Sequence, residues 1–593
     1  MRTPQEIAFR LSQEFTNLRL LARRPQLSRR AKETSPSSVL PDPATVADAL
    51  RGSAYESEIV SLSKSIREHR FPLLGVTIDT GPQIHWRRDY VNGKETNLRY
   101  FRRIPYLNVI ASGDHKVIWE LNRHQHLVVL AQAYLFTNDQ NLLDELVLQL
   151  ESWFVQNPFQ RGINWASALE VAFRALSWIW IYHLVGGRMQ PAFAARFLER
   201  LYQHGRHIEN NLSIYFSPNT HLLGEAVALH ALGRVFPQFP RATRWERLGG
   251  ELVEQQMDRQ VRADGSHFEQ STYYHVYALD MFLFHAILKQ HSPAYREKLA
   301  RMGEYLNALL GPSRTLPFIG DDDGGRLFHP FGPRDRFGRA TMATLSRLLG
   351  RSDWSYGAED LSPQAAWWLG AHGSSNRGRE LSSRLFPDAG VAVMCRDDIH
   401  VVVDAGAFGP WGSGHSHSDT LSLTVRVGNR DVLIDPGTYT YCDEGWRGRF
   451  RGSAAHNTIK IDGADQATPI SAFRWANQPA ARVIAWETAP DEDRIEAECA
   501  YRGFAHRRSV TLHSAGVLLV QDDISGPAGE HEIEQFWHVG STDDRERFTF
   551  DGEVEEVEGW RSPVMLQKES SPVFRLRRRT KLPVCLKTRI QLR

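Results

Sequence analysis

The sequence predicts a two-part α+β chain: an incomplete (α/α) toroid of helical hairpins, then an antiparallel β-sandwich. Three observations carry that expectation. From about residue 108 apolar residues recur at helical spacing in one segment after another. Beyond Pro387 the apolar period switches to two. Between these halves, Gly350 to Pro387 is punctuated by Gly, Ser and Pro, with Gly373-Ser-Ser-Asn-Arg-Gly378 in its second half. That composition marks a domain boundary. The expected parts are a helical and irregular extension over 1–105, the toroid over 106–375 and the sandwich over 376–593.

In chain order, residues 3–35 read as an amphipathic helix followed by a basic stretch, and Thr34 to Thr45 as a loop. Residues 70–105 mix strand-like and turn-like pieces without a clear assignment. Helical spacing then runs through Trp119–Leu130, Leu142–Phe154, Trp165–Trp180, His221–Leu232, Tyr273–Gln290 and Tyr295–Leu310. No constant repeat period joins them, so a ring of unequal hairpins fits better than a regular array. After the boundary, Val391–Met394, Ile399–Asp404 and Leu421–Val427 alternate as strands. Gly428-Asn429 signals a hairpin into Val432-Leu-Ile434. Arg508–Leu512, Val517–Gln521 and the stretch from Phe574 continue the sandwich.

At 593 residues the chain has room for two to four domains. With 42% apolar and 24% charged residues it is an ordinary globular composition, not a disordered one. The net charge of +2 averages over basic clusters, Arg447-Gly-Arg-Phe-Arg451 and Arg575-Leu-Arg-Arg-Arg579, that suit either solvated surface or an acidic polymer. Four cysteines, all in the last third, form no metal motif and no disulfide framework. The N-terminus has no uninterrupted apolar h-region. The most apolar run, Leu176 to Val185, is about ten residues, too short to span a bilayer. The expectation is a soluble cytoplasmic protein with no membrane span and no nucleic-acid partner.

Chemistry concentrates in Gly412-Ser-Gly-His-Ser-His-Ser-Asp419, Asp435-Pro-Gly-Thr-Tyr-Thr-Tyr441 and Ala455-His-Asn457. His415 and His417 are two apart, so in extended chain both rings point to one side. Asp435 and His456 stand at the ends of apolar runs. A His, Asp, His set with one open position suits zinc, while hydrogen-bonded polar loops are the bland alternative. In the helical half, Ser217 or Asn219 can cap a helix, and His221 and Glu225 at i, i+4 share a face. Alone, that pattern fits a capped helix with an intrahelical His–Glu pair. Further on, Asp264-Gly265 turns, Glu269 follows, and Tyr273, Tyr274 and Tyr277 open a helix.

Taken in order, these stretches resemble the heparinase II/III family of polysaccharide lyases. The resemblance runs roughly from Asp114 to Gln466. It rests on Trp119-Glu-Leu-Asn-Arg123, Asn164-Trp165 with Glu170 and Arg174, and Asn219-Thr-His221 with Gly224-Glu225. It continues through Glu269, Ser271, Tyr274 and His275, Gly320-Asp-Asp-Asp-Gly-Gly325, Gly414-His-Ser-His-Ser-Asp419, Asp435-Pro-Gly-Thr-Tyr439 and His456-Asn457. The Glu-x-Ser-x-x-Tyr-His pattern is closest to the heparinase III branch. The resemblance implies β-elimination on a uronic-acid polymer, a glycosaminoglycan such as heparan sulfate or a bacterial exopolysaccharide. Removing the C5 proton needs the uronate carboxylate neutralised, a base near C5 and an acid for O4. By motif, Asn219 and His221 would neutralise, Tyr274 would be the acid and in some stereochemistries the base, and His415 the alternative base. His417, Asp435 and His456 would hold zinc, bracing the His415 loop. Glu225, Glu269, Trp165, Arg174, Tyr439 and Arg449 are the expected supporting or substrate-binding residues.

One departure stands out: Thr220 separates Asn219 from His221, where the family commonly has the asparagine adjacent. Asn219 is the preferred carboxylate ligand. Two other readings stay open. A hydrolase could draw carboxylates from Asp264, Glu269 or Asp321-Asp-Asp323, and a non-catalytic protein could bind polysaccharide for synthesis or export. Oligomeric state is open, with a homodimer as one option.

Overall fold

The computed structural model describes residues 2–33, 37–354, 356–371, 381–410 and 414–593. The boundary stretch Gly373–Gly378, the loop start Thr34–Pro36 and Gly412-Ser413 lie outside the described residues.

Helical hairpins build the first half. The helices Gln125–Thr137, Ala168–Val185, Thr220–Val235 and Thr272–Leu288 form the inner row. Each is buried almost all round, as its nearly continuous apolar sequence requires. Their partners Gln140–Gln156, Pro191–Asn210, Ala242–Gln260 and Pro293–Leu310 are one-sided and face solvent on the other side. Glycines set the closest approach. A Cβ on Gly233 would lie 2.5 Å from the Ala242 carbonyl, and one on Gly249 2.5 Å from the Ala226 carbonyl. Within each hairpin the chain reverses, so the inner helices all start at one rim. Ser167, Asn219 and Ser271 cap three of those starts through side-chain acceptors.

The segment expected as an extension is not separate. Pro43–Leu50 and Ala54–Arg67 pack on Gln125–Thr137, and Val46, Ile59 and Phe71 join the helical core. Their apolar faces have nowhere else to be buried. The apolar run at Leu176 also proves longer than it reads: Ala168–Arg188 is long and apolar enough to cross a membrane, yet 89% of its apolar window is buried within the fold. Glu170 and Arg174, charged residues within it, are themselves buried.

The second half is antiparallel throughout. A five-stranded sheet runs in sequence order from Arg384–Phe386 to Arg430–Leu433. It ends in the expected hairpin, with Gly428 at φ 54° between paired Val427 and Arg430. A six-stranded sheet, a four-stranded sheet and the two-stranded pair Thr468–Ser471 with Arg474–Ala476 complete the region among the described residues. The five-stranded sheet is buried on both faces. Val391, Val393 and Val402 enter the helical core, whereas Ala392, Met394, Val401 and Val403 enter the sandwich core. This shared sheet fixes the helical half against the sandwich. The cysteines are free.

Candidate active site

The start of Thr220–Val235 supplies the first groups. The Asn219 Oδ1 accepts from the His221 backbone N–H at 3.1 Å and lies 3.1 Å from His221 Nδ1. An amide oxygen only accepts, so Nδ1 carries the proton and Nε2 the lone pair. Burial, with the neighbouring His415 ring acting in the same direction, holds the His221 pKa down to about 4, so this ring is neutral. The Asn219 amide donates to Glu269 Oε1 at 2.6 Å. Burial raises the Glu269 carboxyl against the opposing pull of His415 and of the Thr220 and Asn219 groups beside it. Thr220 is buried and faces Glu269, and Asn219 is the one that meets both His221 and Glu269. The expected His221–Glu225 pair does not form. Glu225 turns away and takes the Ser213 N–H at 2.7 Å and its hydroxyl at 2.6 Å, pinning the loop that carries half-exposed Tyr215 and Phe216. Full burial pushes its carboxyl up to about 8.

The sandwich supplies the facing groups. His415 lies flat on Tyr274, with ring centroids 3.8 Å apart at 22°. Its Nδ1–H donates to Asp321 Oδ2 at 3.1 Å, and its Nε2 faces Glu269 Oε1 at 3.5 Å. Asp321 also accepts from His417 Nε2 at 2.9 Å. Arg447 grips both oxygens of Asp321, Nη2 to Oδ2 at 2.8 Å. Its guanidinium and the two histidine bonds hold the Asp321 carboxyl far below its usual range despite complete burial. Ser271 fixes the Asp321 carbonyl at 2.6 Å, and the Asp321 N–H reaches the His415 carbonyl at 2.9 Å. The loop Gly320–Gly325 therefore splices the two halves at the site. Tyr274 sits in the first turn capped by Ser271, and burial together with Asp323 holds its phenol well above 10.

His417, Asp435 and His456 do converge, with one ligand atom from each within 4.8 Å of the others. His456 Nδ1–H donates to the Gly452 carbonyl at 2.9 Å, and His417 Nε2–H to Asp321. Those bonds leave lone pairs on His417 Nδ1 and His456 Nε2, which face each other at 3.2 Å. Asp435 Oδ2 stands 3.8 Å from His456 Nε2. Two lone pairs and a carboxylate aimed at one point repel unless a cation lies between them, so this donor set fits a divalent metal. Asn457 braces the neighbouring turn, donating to the Leu423 and Ile434 carbonyls at 2.8 and 2.9 Å.

Of the carboxylates that could serve hydrolysis, Glu269 and Asp321 lie in the site, while Asp264, Asp322 and Asp323 are paired outside it. Asp323 pairs with Lys116 at 3.1 Å and accepts from the Tyr273 hydroxyl at 2.6 Å. Asp322 pairs with Arg334, and Asp264 binds the Ser266 hydroxyl and the Ala389 N–H. Arg123 bridges Glu120 and Glu170 beside them.

Four expected supporting residues sit differently. Trp165 and Arg174 are buried in the helical core: Arg174 donates to His204 and to the Asn122 and Asn164 carbonyls, with its guanidinium 4.6 Å over Trp153. Trp165 lies against Trp153 and His204 in the same cluster, with ring centroids 6.2 and 4.9 Å away. Tyr439 belongs to an aromatic cage around Lys568, whose amine is 4.3 Å from Trp446, 4.5 Å from Trp560 and 5.4 Å from Tyr439. Arg449 is exposed and stacks on the outside of Trp446 at 5.1 Å. Arg447 is the arginine of the cluster. In Glu444–Arg451, Arg447 and Arg451 are i, i+4 and both donate to the Ala472 carbonyl, leaving Arg449 on the opposite face. That spacing was readable. The other basic cluster is spent on cross-strand pairs, Arg575 with Glu555 and Arg577 with Glu532.

A family model for the heparinase II/III N-terminus matches residues 42–326, and one for the heparinase II/III-like C-terminal part matches 378–578. The chain belongs to the heparinase II/III family. The N-terminal match begins at 42, in keeping with the packing of residues 43–67 into the helical core. A heparin-sulfate lyase of Bacteroides stercoris is 22% identical over 455 residues, 70% of this chain and 62% of that protein. The match thus spans less than two thirds of this curated relative. Two solved structures share the fold. Heparinase III superposes with a TM-score of 0.68 at 15% identity, covering 96% of this chain and 88% of that one. A heparan sulfate lyase mutant from Pedobacter heparinus gives 0.57 at 20%, covering 98% and 88%.

Proposed function

We propose that this heparinase II/III member is a polysaccharide lyase that opens a uronic-acid glycosaminoglycan by β-elimination. The heparan-type chain named for its relatives is the first candidate, and a bacterial exopolysaccharide the second. The observation that carries the reading is the stack of His415 on Tyr274, facing the Asn219, His221 and Glu269 group. It brings an acid, a base and a carboxylate-binding pair to the rim where the inner helices begin. Helix N-termini there add positive potential for an anionic sugar.

In this mechanism the uronate carboxylate docks between Asn219 and His221. One Asn219 amide hydrogen is used by Glu269, and the second is left for the carboxylate. The neutral His221 ring takes up a proton as the anion arrives, then donates from Nε2 to the charge that develops at C6. Asp321 holds His415 Nδ1–H, leaving Nε2 free to take the C5 proton. Tyr274, whose phenol stays protonated, donates to O4 as the C4–O bond breaks. His417, Asp435 and His456 would hold zinc, which when bound would anchor the loop that carries His415, between Ile399–Asp404 and Ser422–Val427.

The test is near-ultraviolet absorbance of the C4–C5 double bond while the purified chain meets a panel of uronic-acid polymers, with reducing ends counted in parallel. A rise with one polymer is expected. New reducing ends without absorbance would overturn elimination and make the protein a hydrolase.

A further inference from the structure

The inner helix that begins at Tyr274 carries another buried histidine near its other end. His285 is eleven residues on, about 16 Å along the axis. Its side chain is fully buried, and neither ring nitrogen has a hydrogen-bond partner among the described residues. Leaving buried polar atoms unpaired costs about 1–3 kcal/mol each. Something should repay that, and the neighbours are metal-ligating types. His291 Nε2 lies 3.3 Å from the His285 carbonyl; a carbonyl only accepts, so His291 Nδ1 carries a lone pair. Glu254, from the outer helix, completes a group whose ligand atoms all lie within 4.8 Å of one another.

A further histidine packs against the group. His230 packs on His285 with ring centroids 4.4 Å apart. Its Nδ1–H donates to the Glu246 carbonyl at 3.0 Å, so its buried Nε2 is a second unpartnered lone pair. Space for this approach comes from Gly250, where a Cβ would lie 3.1 Å from His230 Nδ1 and 3.8 Å from His285 Cε1. His291 is steadied by stacking on Tyr295 at 4.2 Å.

We propose that Glu254, His285 and His291 form a second divalent-metal site, with donors that suit zinc, that clips Ala242–Gln260 to the end of Thr272–Leu288. Two imidazoles and one carboxylate are a zinc donor set, and ligand atoms at these separations need only a small contraction to reach about 2.0–2.2 Å from one ion. Lys289 donates to Glu254 Oε1 at 2.7 Å, leaving Oε2 for the metal. The site is independent of the proposed reaction and of the His417 group.

The experiment is zinc content per folded chain, on protein without a histidine tag, after dialysis against micromolar zinc. The wild type is compared with His291→Ala, Glu254→Gln and His417→Ala, with far-ultraviolet circular dichroism showing that each is folded. His291→Ala should lose one zinc equivalent, Glu254→Gln should bind that equivalent at least tenfold more weakly, and His417→Ala should retain it. The turnover of His291→Ala should match the wild type. An unchanged zinc count and affinity in both His291→Ala and Glu254→Gln overturns the site, as does loading of this equivalent only at millimolar zinc. Loss of zinc in His417→Ala alone would support the other group and refute this one.

Discussion

Arg447→Met removes the cation that holds Asp321 between the two halves of the molecule. Both side chains are essentially inaccessible, 1% and 0% exposed, and the guanidinium engages both carboxylate oxygens. Breaking such a buried pair from one side costs about 3–5 kcal/mol, because the remaining charge stays buried without its partner. His415 and His417 still donate to Asp321, so the expected loss is at the lower end, about 3 kcal/mol. Urea unfolding followed by tryptophan fluorescence measures it, read from the first transition. Adding Asp321→Asn to Arg447→Met should return most of that stability, since no uncompensated charge is then buried. It should not return turnover. His415 Nδ1–H and His417 Nε2–H donate to different oxygens of Asp321, and asparagine replaces one of those oxygens with an NH2 that only donates, so the pair of histidines can no longer both be held as they are. A single-variant loss below about 1 kcal/mol would refute the buried-charge argument. So would a double variant no more stable than the single one.

Tyr274→Phe keeps the stacked ring and should lower the elimination rate by about 10²–10⁴ with little change in melting temperature; unchanged turnover removes Tyr274 from the reaction. Asn219→Ala should reduce turnover by about 10²–10³ through lost carboxylate stabilisation, whereas Thr220→Val should leave it nearly intact; the reverse order would place the carboxylate at Thr220. Glu225→Gln should change the pH dependence of stability. The carboxyl titrates at about 8 folded against 4.5 unfolded, so between those values the folded chain holds the extra proton. The wild type therefore loses stability relative to Glu225→Gln as pH rises from about 5 to 8, by on the order of 4 kcal/mol at most. Parallel urea midpoints across that range would refute the raised carboxyl.

The fold was legible because period alone separates its halves: continuous apolar helices, then alternating strands. The packing of Pro43–Leu50 and Ala54–Arg67 onto the toroid was not, since an amphipathic helix shows that it has a partner without showing which. The sheet from Arg384 to Leu433 reads as strands, but only its two cores reveal that both faces are buried. In the site, His415, His417, Asp435 and His456 were findable because they are close in sequence, the first two in one short His-Ser-His loop and the others beside apolar strand runs. Asp321 was weighed only as a hydrolytic carboxylate, because its partner Arg447 is 126 residues away and pairing at that distance leaves no local pattern. Glu225 misled for the opposite reason. Its i, i+4 spacing from His221 is genuine, yet Ser213 offers two donors to a buried carboxylate and wins.

The position of Tyr274 bears on which proton transfer it performs. Burial and the charges of Asp323 and Asp321 all disfavour its phenolate. A uronate arriving nearby adds another negative charge and disfavours it further. A base role would need a cation large enough to reverse those contributions. Arg447 is already engaged bidentately with Asp321, and Arg123 with Glu170, and His415, stacked on the phenol ring, is the base of the proposed reaction. Proton donation requires none of this, because the neutral phenol is the state the site favours. In the proposed reaction Tyr274 is therefore the acid and His415 the base. The consequence is testable with substrates whose leaving groups differ in basicity. Tyr274→Phe should lose least on an activated leaving group, which departs without needing a proton. Equal losses on good and poor leaving groups would transfer the base role to Tyr274.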